Sequence, residues 1–337
     1  MAFETGTATN HEDLYNKLIT FLTENEDLVA EGQNWEIVWT GNENDGEVVL
    51  KGPGLAGQDE VYVGIGRRWE LTNDRCRLYI RGLQGVIPSA QALSYHVNPS
   101  RAVRVFLDAN PMTYWFVANG RRFAAVVKIS TIFQALYAGL FLPYGTPTSY
   151  PYPLFIGGSA GDAGSSPVDT WRSTSAYHSH FIEPSRDMGS SSPAADSSAF
   201  LLDPLGQWLT GYNLYGSNIN TNYTEGLFFV GPRYFGTGLN AQPGTASSTN
   251  LSYRHINQRL APAFGGQYVL TPITLTASHP ENQTFGILEG VYDVPGYSNS
   301  SENVVKIEYD EERVVDHLVV QNVFRTAFGQ YWALALE

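Results

Sequence analysis

One clear helical pattern lies near the start of the chain. Its apolar positions recur at i, i+4, i+7 and i+8 on an otherwise polar segment: Leu14, Leu18, Phe21 and Leu22. This spacing places them on one face of an α-helix. Thr9 and Asn10 are good N-cap residues, and Thr9 with Glu12 fits a capping box. The pattern ends after Asn25, so the sequence predicts a helix from about His11 to Thr23.

Almost every later pattern predicts β-strands. Trp35, Ile37 and Trp39 alternate with polar residues, and we expect this face to receive the apolar face of the helix. Leu78 and Ile80 alternate with a second set that gives the same strand a cationic outer face: Arg77, Tyr79 and Arg81. In the final third, alternation predicts strands over 268–275, 286–294, 304–309, 314–324 and 331–336. A hairpin turn is expected at 310–313.

The sharpest local signal is Asn119-Gly120 between two alternating runs, 114–118 and 121–129. Asn-Gly is the favoured loop of a two-residue type I′ hairpin, because both residues tolerate positive φ. We therefore expect a tight antiparallel hairpin here.

Composition divides the chain into three parts. Residues 1–142 are predicted to form the helix and an antiparallel meander. Residues 143–250 are rich in Gly, Ser, Pro and aromatic residues and are predicted to form long ordered loops or an arm, because such frequent aromatic residues argue against disorder. Residues 251–337 are predicted to form a β region that packs back on the first. The predicted fold is mainly β, with antiparallel sandwich-like or barrel-like sheets and one N-terminal helix.

Charge is sparse and segregated. Charged residues make up 16% of the 337, and the net charge is −13, which argues against capture of nucleic acid or of an anionic membrane. Residues 1–60 carry 13 acidic and 2 basic residues, whereas residues 61–140 carry 3 acidic and 10 basic residues. Either the two blocks neutralise each other within one subunit, or the acidic block of one copy contacts the basic block of the next. The second arrangement is a head-to-tail contact that closes into a ring or stacks into a tube.

The candidate residues for such a subunit contact come from both blocks. The basic candidates are arginines, which suit partly desolvated pairing better than lysine does: Arg67, Arg68, Arg77, Arg81, Arg121 and Arg122. The acidic candidates lie at the end of the helix and just beyond it: Glu24, Glu26, Asp27 and Glu31. Exposed charges usually find weak, solvated partners, which favours neither alternative.

No catalytic motif stands out. The chain has no Gly-x-Ser-x-Gly elbow, no phosphate-binding loop and no His-Glu-x-x-His. His178 and His180 have a metal-like spacing that Glu183 or Asp187 would complete, but without a third histidine nearby a surface loop is favoured. Carboxylates in loops are too many to single out a glycosidase pair. We predict that the protein is not an enzyme and holds no cofactor or metal, and that Cys76, the single cysteine, is a packing residue.

The aromatic residues of the loop segment allow two interpretations. Trp171, Trp208, Tyr212 and Tyr215 lie among Asn and Gly residues, as side chains that stack on sugar rings of a host surface glycan do. Alternatively, these rings anchor extended segments onto neighbouring subunits, since Tyr and Trp are enriched at interfaces. The anchoring interpretation is favoured.

The chain shows no pattern of export or membrane insertion. The start, MAFETGTATN, lacks the basic and apolar regions of a signal peptide. The longest apolar stretch, Ile132 to Pro143, falls short of the roughly 20 residues needed to cross a bilayer. We expect synthesis in the cytoplasm of the producing cell.

Three blocks of sequence resemble a family of tailed-bacteriophage virion proteins. They are MAFETGTATNHEDLYNKLITFLT at 1–23, YWFVANGRRFAAVVKISTIFQALYAGLFLPYGTPTSYPYPL at 114–154, and GILEGVYDVPGYSNSSENVV with DHLVVQNVFRTAFGQYWALALE within 286–337. The resemblance implies a structural virion component located in the virion, which contacts copies of itself and neighbouring phage structural proteins and has no catalytic residues.

The sequence-based expectation is a homo-oligomeric ring or collar in a phage tail, baseplate or neck. The alternative is a receptor-binding, adhesin-like tail-tip protein whose 157–250 loops contact a host surface glycan. A depolymerase acting through the same loops is a third hypothesis.

Overall fold

A computed structural model gives the structure of the chain. It describes residues 1–41, 46–54, 59–70, 75–161, 171–172, 178–182, 184, 197–212, 227–230, 270–277, 283–294, 304–308, 313–323 and 331–337.

Two helices follow the first strand. Helix α1 spans His11–Glu24, and helix α2 spans the five residues Glu26–Ala30. The first confirms the predicted helix, and all four of its predicted apolar residues are buried. The second was not predicted, because five residues are too few to show a helical period.

The cap of α1 lies one residue later than the predicted capping box. Asn10 is the N-cap, and its side-chain oxygen accepts hydrogen bonds from the backbone N–H groups of Glu12 and Asp13, both at 2.9 Å. The Asp13 carboxylate then accepts from the Thr9 backbone N–H at 2.8 Å. This bond contributes most to a lowered pKa of Asp13. The pairing of Thr9 with Glu12 was therefore wrong by one position, because either residue at 9 or 10 suits a cap chemically.

Twenty strands account for most of the described chain. In chain order they are β1 (Ala2–Ala8), β2 (Glu36–Thr40), β3 (Val48–Gly52), β4 (Val61–Glu70), β5 (Arg75–Leu83), β6 (Val103–Leu107), β7 (Met112–Ala118), β8 (Arg122–Ile129), β9 (Ile132–Leu140), β10 (Leu142–Pro143), β11 (Leu154–Gly157), β12 (Ala160–Gly161), β13 (Ala199–Leu202), β14 (Trp208–Tyr212), β15 (Leu227–Val230), β16 (Thr271–Ala277), β17 (Gln283–Asp293), β18 (Val304–Glu308), β19 (Val314–Gln321) and β20 (Tyr331–Ala335). A short 3₁₀ helix spans Leu93–Tyr95.

The strands form two sheets. The small sheet has six strands in the order β12-β6-β5-β4-β3-β2. The large sheet has fourteen, in the order β1-β7-β8-β9-β11-β13-β14-β15-β16-β17-β20-β19-β18, with β10 paired to β17 off this path. Pairing is antiparallel throughout except between β14 and β15. The predicted mainly β, antiparallel fold with an N-terminal helix is confirmed.

Strands β7 to β9 of the large sheet are buried on both faces. One face packs with α1 and the small sheet in a core that includes Leu18, Ile80 and Phe116. The other face holds a second core in which Val117 lies with residues of the C-terminal strands, including Trp332. Adjacent residues of β7 therefore belong to different cores, as expected when side chains alternate across a strand. The architecture is sandwich-like, with two sheets that share the first core.

The prediction that Trp35, Ile37 and Trp39 form one face that packs against the helix is only partly correct. Trp35 shares the first core with the apolar residues of α1, but Ile37 is 42% exposed. Trp39 packs in a separate cluster with Val49, Leu83 and Leu93. Trp39 lies in another cluster because of an irregularity in the pairing of β2 with β3, where Ile37 is opposite Leu50 and Trp39 is opposite Val49. An extra residue in a strand turns the residues beyond it to the other face.

The predicted hairpin at Asn119-Gly120 exists as β7–β8, but its turn is not type I′. Neither residue has a positive φ. Instead, the Asn119 side-chain oxygen accepts from the backbone N–H groups of Arg121 (2.9 Å) and Arg122 (3.0 Å). Glycine is needed for close approach: a Cβ on Gly120 would lie 2.5 Å from the Gly54 carbonyl oxygen.

Strands from all three predicted segments join within the sheets. From the middle segment, β11 pairs with β9, and β12 pairs with β6. From the last segment, β17 pairs with β10, and β18 pairs with β19 as the predicted hairpin, whose tip at 309–312 lies outside the described residues. Much of 143–250 also lies outside them, and the three-part division stays a prediction.

Candidate interface residues and their contacts

Arg67 ties helix α1 to strand β4. Its guanidinium carbon lies 5.2 Å from the ring centroid of Tyr15 and 5.0 Å from that of Trp69. Its Nη1 atom lies 3.2 Å from the Glu12 carboxylate, in the first turn of α1. A cation held between two aromatic faces and a carboxylate gains both cation–π and ionic attraction.

Neighbouring contacts fix this cluster in place. The ring of His11 meets Trp69 edge-on with centroids 4.1 Å apart, and the Tyr15 hydroxyl donates to the Gly46 carbonyl at 2.6 Å. Burial raises the pKa of the Tyr15 hydroxyl, and nearby Arg67 opposes that rise. Arg67 therefore has its partners within the subunit, as the intramolecular alternative expects.

A second cluster joins the β7–β8 turn to the C-terminal part of the chain. The Asn119 side-chain amide donates to the Glu289 carboxylate of β17 at 3.3 Å, and the Asn119 carbonyl accepts from the indole N–H of Trp35 at 2.9 Å. Asn119 thus links three parts of the chain that are far apart in sequence. The Asn-Gly signal pointed to this position, but only as a turn.

Arg121 and Arg122 share the Glu289 carboxylate. Their nearest nitrogens lie 3.7 Å and 3.6 Å from it, respectively. The Arg122 side chain is fully buried, and its Nη2 atom also lies 3.1 Å from the sulfur of Met1. Two of its other nitrogens, Nε and Nη1, have no hydrogen-bond partner. Arg122 is thus an interior residue of the subunit, not a surface one. Nothing in the sequence marked Glu289.

The other arginines lie on the small sheet. Arg81 donates to the Ser100 carbonyl within the chain. Arg68 and Arg77 occupy facing positions on β4 and β5; Arg68 is exposed and Arg77 is half-buried. Leu78 and Ile80 are buried as predicted for this strand, so its cationic face is the one that points away from the main core.

The four acidic candidates are all exposed. Glu31 pairs with the N-terminal ammonium group at 3.0 Å. Within the described residues, none of the four forms an ion pair with any of the six arginines. Arg67 therefore pairs with Glu12, and Arg121 and Arg122 pair with Glu289, instead of with the four acidic candidates. The predicted contact between copies stays a prediction.

The loop aromatic residues that the structure describes pack inside the subunit. Trp208 packs against the main core, and its indole N–H donates to the Asn98 carbonyl at 3.0 Å. Trp171 is partly buried against the same core. The side chain of Tyr212 and the whole of Tyr215 lie outside the described residues. The anchoring seen here is within one chain, and glycan binding stays a prediction.

The prediction of a surface loop at His178 and His180 is wrong, because both residues are fully buried. His178 contacts the Gln134 side-chain amide at 3.0 Å. The Nε2 atom of His180 lies 2.9 Å from the Phe133 carbonyl oxygen, and its Nδ1 accepts from the Trp332 indole N–H at 3.0 Å. The His-x-His spacing therefore serves packing between strands. The proposed completing ligands, Glu183 and Asp187, lie outside the described residues.

Three further observations concern metal binding, the cysteine and the helices. Within the described residues, no group of three or more His, Cys, Asp or Glu side chains is placed to hold a metal ion. Cys76 is buried in the main core, as predicted. No described helix has the length and apolar character that spanning a membrane requires.

Comparison with known proteins adds no relative. No model of a protein family matches the chain, and no curated protein matches it. The resemblance to phage virion proteins stays a prediction.

Proposed function

We propose that this protein is a structural component of a tailed-phage virion that acts through contacts between its own copies and with neighbouring particle proteins. It forms a ring or collar in the tail, baseplate or neck. Its role is mechanical, and it needs neither cofactor nor catalysis.

The observation that carries the proposal is a set of exposed acids, Glu24, Glu26 and Asp27, that form no ion pair with another described residue. Glu24 occupies the last turn of α1, and Glu26 and Asp27 begin α2. Neither helix has a basic residue in its last turn. The carbonyl end of a helix carries a partial negative charge, so an acid there is unfavourable. A basic group from a neighbouring molecule would offset both the charge of the Glu24 carboxylate and the partial negative charge of the end of α1.

The resembling blocks support the same proposal, because they form the framework of the fold. Residues 1–23 form β1 and most of α1, and residues 114–154 run from β7 into β11. Residues 286–337 include most of β17 and all of β18 to β20. Residues of this framework keep the shape of the protein fixed. A particle component that is held by large interfaces needs a fixed shape.

A charge-reversal experiment tests the self-association. We expect the purified chain to elute as an oligomer in gel filtration with light scattering. The variant Glu24→Lys/Asp27→Lys should shift the protein toward smaller species. The matched control, Glu36→Lys/Glu308→Lys, reverses two acids that are also exposed and should elute as the unmodified chain does. A strict monomer, both alone and when mixed with its neighbouring particle proteins, would count against the proposal.

Antibody labelling tests the location. Antibodies against the purified chain should label phage particles at the tail, neck or baseplate in negative-stain electron microscopy. Particles that bind no antibody, although the chain is detected in the infected cell, would contradict a virion role.

A further inference from the structure

Asn119-Gly120 is the single Asn-Gly pair in the chain, and it is reactive as well as turn-forming. Asparagine is chemically labile, and the residue that follows it controls how fast it reacts. Glycine leaves its own backbone nitrogen unhindered, because it has no side chain. That nitrogen can therefore reach the side-chain amide of the preceding asparagine when the chain is free to move.

The reaction of such a pair is deamidation, which needs water and no other reagent. The Gly120 nitrogen forms a bond to Cγ of Asn119, and the bond from Cγ to Nδ2 breaks. The proton of the Gly120 N–H leaves with Nδ2 as ammonia, and a succinimide ring remains. Water then opens the ring at either carbonyl, which gives aspartate or isoaspartate at position 119.

The electrophile of this reaction, the Asn119 side-chain amide, is held in one orientation in the folded chain. Its oxygen accepts from the backbone N–H groups of Arg121 (2.9 Å) and Arg122 (3.0 Å). Its nitrogen donates to the Glu289 carboxylate at 3.3 Å. Asn119 is only 3% exposed, so water has little access to it. Both polar atoms of the amide have partners, and cyclisation has to break these bonds.

The nucleophile is also held by hydrogen bonds. The Gly120 N–H donates to Oε1 of Gln33 at 3.4 Å. On the other side of the same peptide group, the Asn119 carbonyl accepts from the indole N–H of Trp35 at 2.9 Å. The Gly120 carbonyl accepts from the Gly54 backbone N–H at 2.8 Å. The peptide group that has to rotate during cyclisation is therefore fixed at both ends.

The isoaspartate product does not fit the folded turn. Isoaspartate lengthens the backbone by a methylene group just before Gly120. A Cβ on Gly120 would already lie 2.5 Å from the Gly54 carbonyl oxygen and 3.3 Å from Cγ of Pro53. An added carbon atom has no space in so close a contact. A chain that is modified while open therefore cannot close in the native arrangement.

We propose that Asn119-Gly120 is a concealed deamidation site, protected by the contacts of the β7–β8 turn with Gln33 and Glu289. The pair reacts only in chains in which this turn has separated from those residues, and isoaspartate then prevents the turn from closing again. Chains that fold promptly keep Asn119, whereas chains that remain open are lost irreversibly. The proposal concerns a single subunit and does not depend on self-association.

Peptide mass spectrometry of the full, unsubstituted chain tests the proposal. The chain is incubated for days at mildly alkaline pH, in buffer and in concentrated urea. The peptide that contains Asn119 is then analysed for exchange of the amide NH₂ group for OH and for isoaspartate. We expect deamidation to be at least about tenfold slower in buffer than in urea, because a reaction of the open form follows the population of that form.

Two variants remove the protecting contacts one at a time. Gln33→Ala removes the acceptor of the glycine N–H, and Glu289→Ala removes the acceptor of the asparagine amide. Each should raise the rate in buffer at least about threefold, because each raises the population of the open turn. The matched controls, Gln91→Ala and Glu308→Ala, remove an exposed glutamine and an exposed glutamate and should react as slowly as the unsubstituted chain. In urea all five proteins should react at the same rate.

Three results would overturn the proposal. The first is deamidation of Asn119 that is equally fast in buffer and in urea, a comparison that decides even if neither variant folds. The second is an unchanged rate in buffer for both Gln33→Ala and Glu289→Ala when circular dichroism melting shows them to be folded. The third is an isoaspartate form that regains the native spectrum and melting temperature after urea is removed. None of these measurements reports on oligomers, so the proposed self-association is tested separately.

Discussion

At the scale of single residues, the most consequential feature is the burial of Arg122 beside a single carboxylate. Arg121 and Arg122 both depend on Glu289 for ionic neutralisation. Buried pairs contribute little net stability when intact, but removing one partner leaves an uncompensated charge. The cluster therefore fixes how the β7–β8 turn meets β17.

We predict that Glu289→Ala lowers the free energy of unfolding by about 3 kcal/mol, because it leaves a fully buried guanidinium without its carboxylate. Urea denaturation followed by circular dichroism measures the change. Glu308→Ala removes an exposed acid and should change stability by less than about 0.5 kcal/mol. Equal effects of the two substitutions would show that the pairing of Glu289 with Arg121 and Arg122 does not contribute to the free energy of unfolding.

The buried position of His96 leads us to predict that stability depends on pH. Burial lowers its pKa below the ordinary value of 6.5, its ring packs edge-on to Trp39 at 4.6 Å, and its Nδ1 accepts the Ile87 N–H. The unfolded chain then binds a proton that the folded chain resists, so stability is present above pH 6.5 and is lost as the pH falls below it.

Urea midpoints at pH 7.5 and 5.5 check this dependence. His96→Asn keeps a hydrogen-bond acceptor but cannot titrate, so its midpoint should fall less between the two pH values than that of the unmodified chain. Part of the dependence should remain, because burial also lowers the pKa of His317. An identical fall in both proteins would assign the effect to other groups.

At the scale of elements, periodicity located the helix and most strands, because a segment with one buried face must repeat its apolar residues at the period of its backbone. It failed at β2, where one extra residue separates Ile37 from Trp39 in the pairing with β3. It also could not choose between Thr9 and Asn10 as the cap. Irregularities of one residue depend on the neighbouring strand or on local geometry, which a period does not record.

The irregularity in β2 gives a direct test. Trp39→Ala should lower the free energy of unfolding by about 3 kcal/mol, because it opens a cavity in a buried cluster. Ile37→Ala should cost less than about 1 kcal/mol, because Ile37 is 42% exposed. Urea denaturation compares the two. Similar losses would mean that both side chains face the core, as simple alternation predicts.

At the scale of the whole molecule, the two sheets meet where Trp208 of β14 crosses Gly82 of β5. A Cβ on Gly82 would lie 2.6 Å from the Trp208 ring, so the indole lies directly against the backbone of the small sheet. Trp171 and Trp208, the ligand-binding candidates whose side chains are described, both pack against the main core. Sequence composition cannot distinguish ligand binding from packing, because both use aromatic residues that lie among glycines in the sequence.

Trp208→Ala should therefore lower the free energy of unfolding by about 2–4 kcal/mol, through loss of packing between the sheets and of the bond to Asn98. Thermal and urea denaturation measure the loss. Tyr144→Ala, the removal of an exposed ring, should stay within about 0.5 kcal/mol of the unmodified chain. Unchanged stability in the Trp208 variant would instead favour the loop-binding role.

The sequence alone determined the class of fold, the N-terminal helix and the position of the β7–β8 hairpin, but not its turn type, because the first three follow from local periodicity and from turn-forming residues. Only the tertiary structure decided that Arg122, His178 and His180 are interior residues. A polar residue is buried when distant groups such as Glu289 or Trp332 supply its partners. The position of those partners depends on how separate strands come together, and no local pattern encodes it.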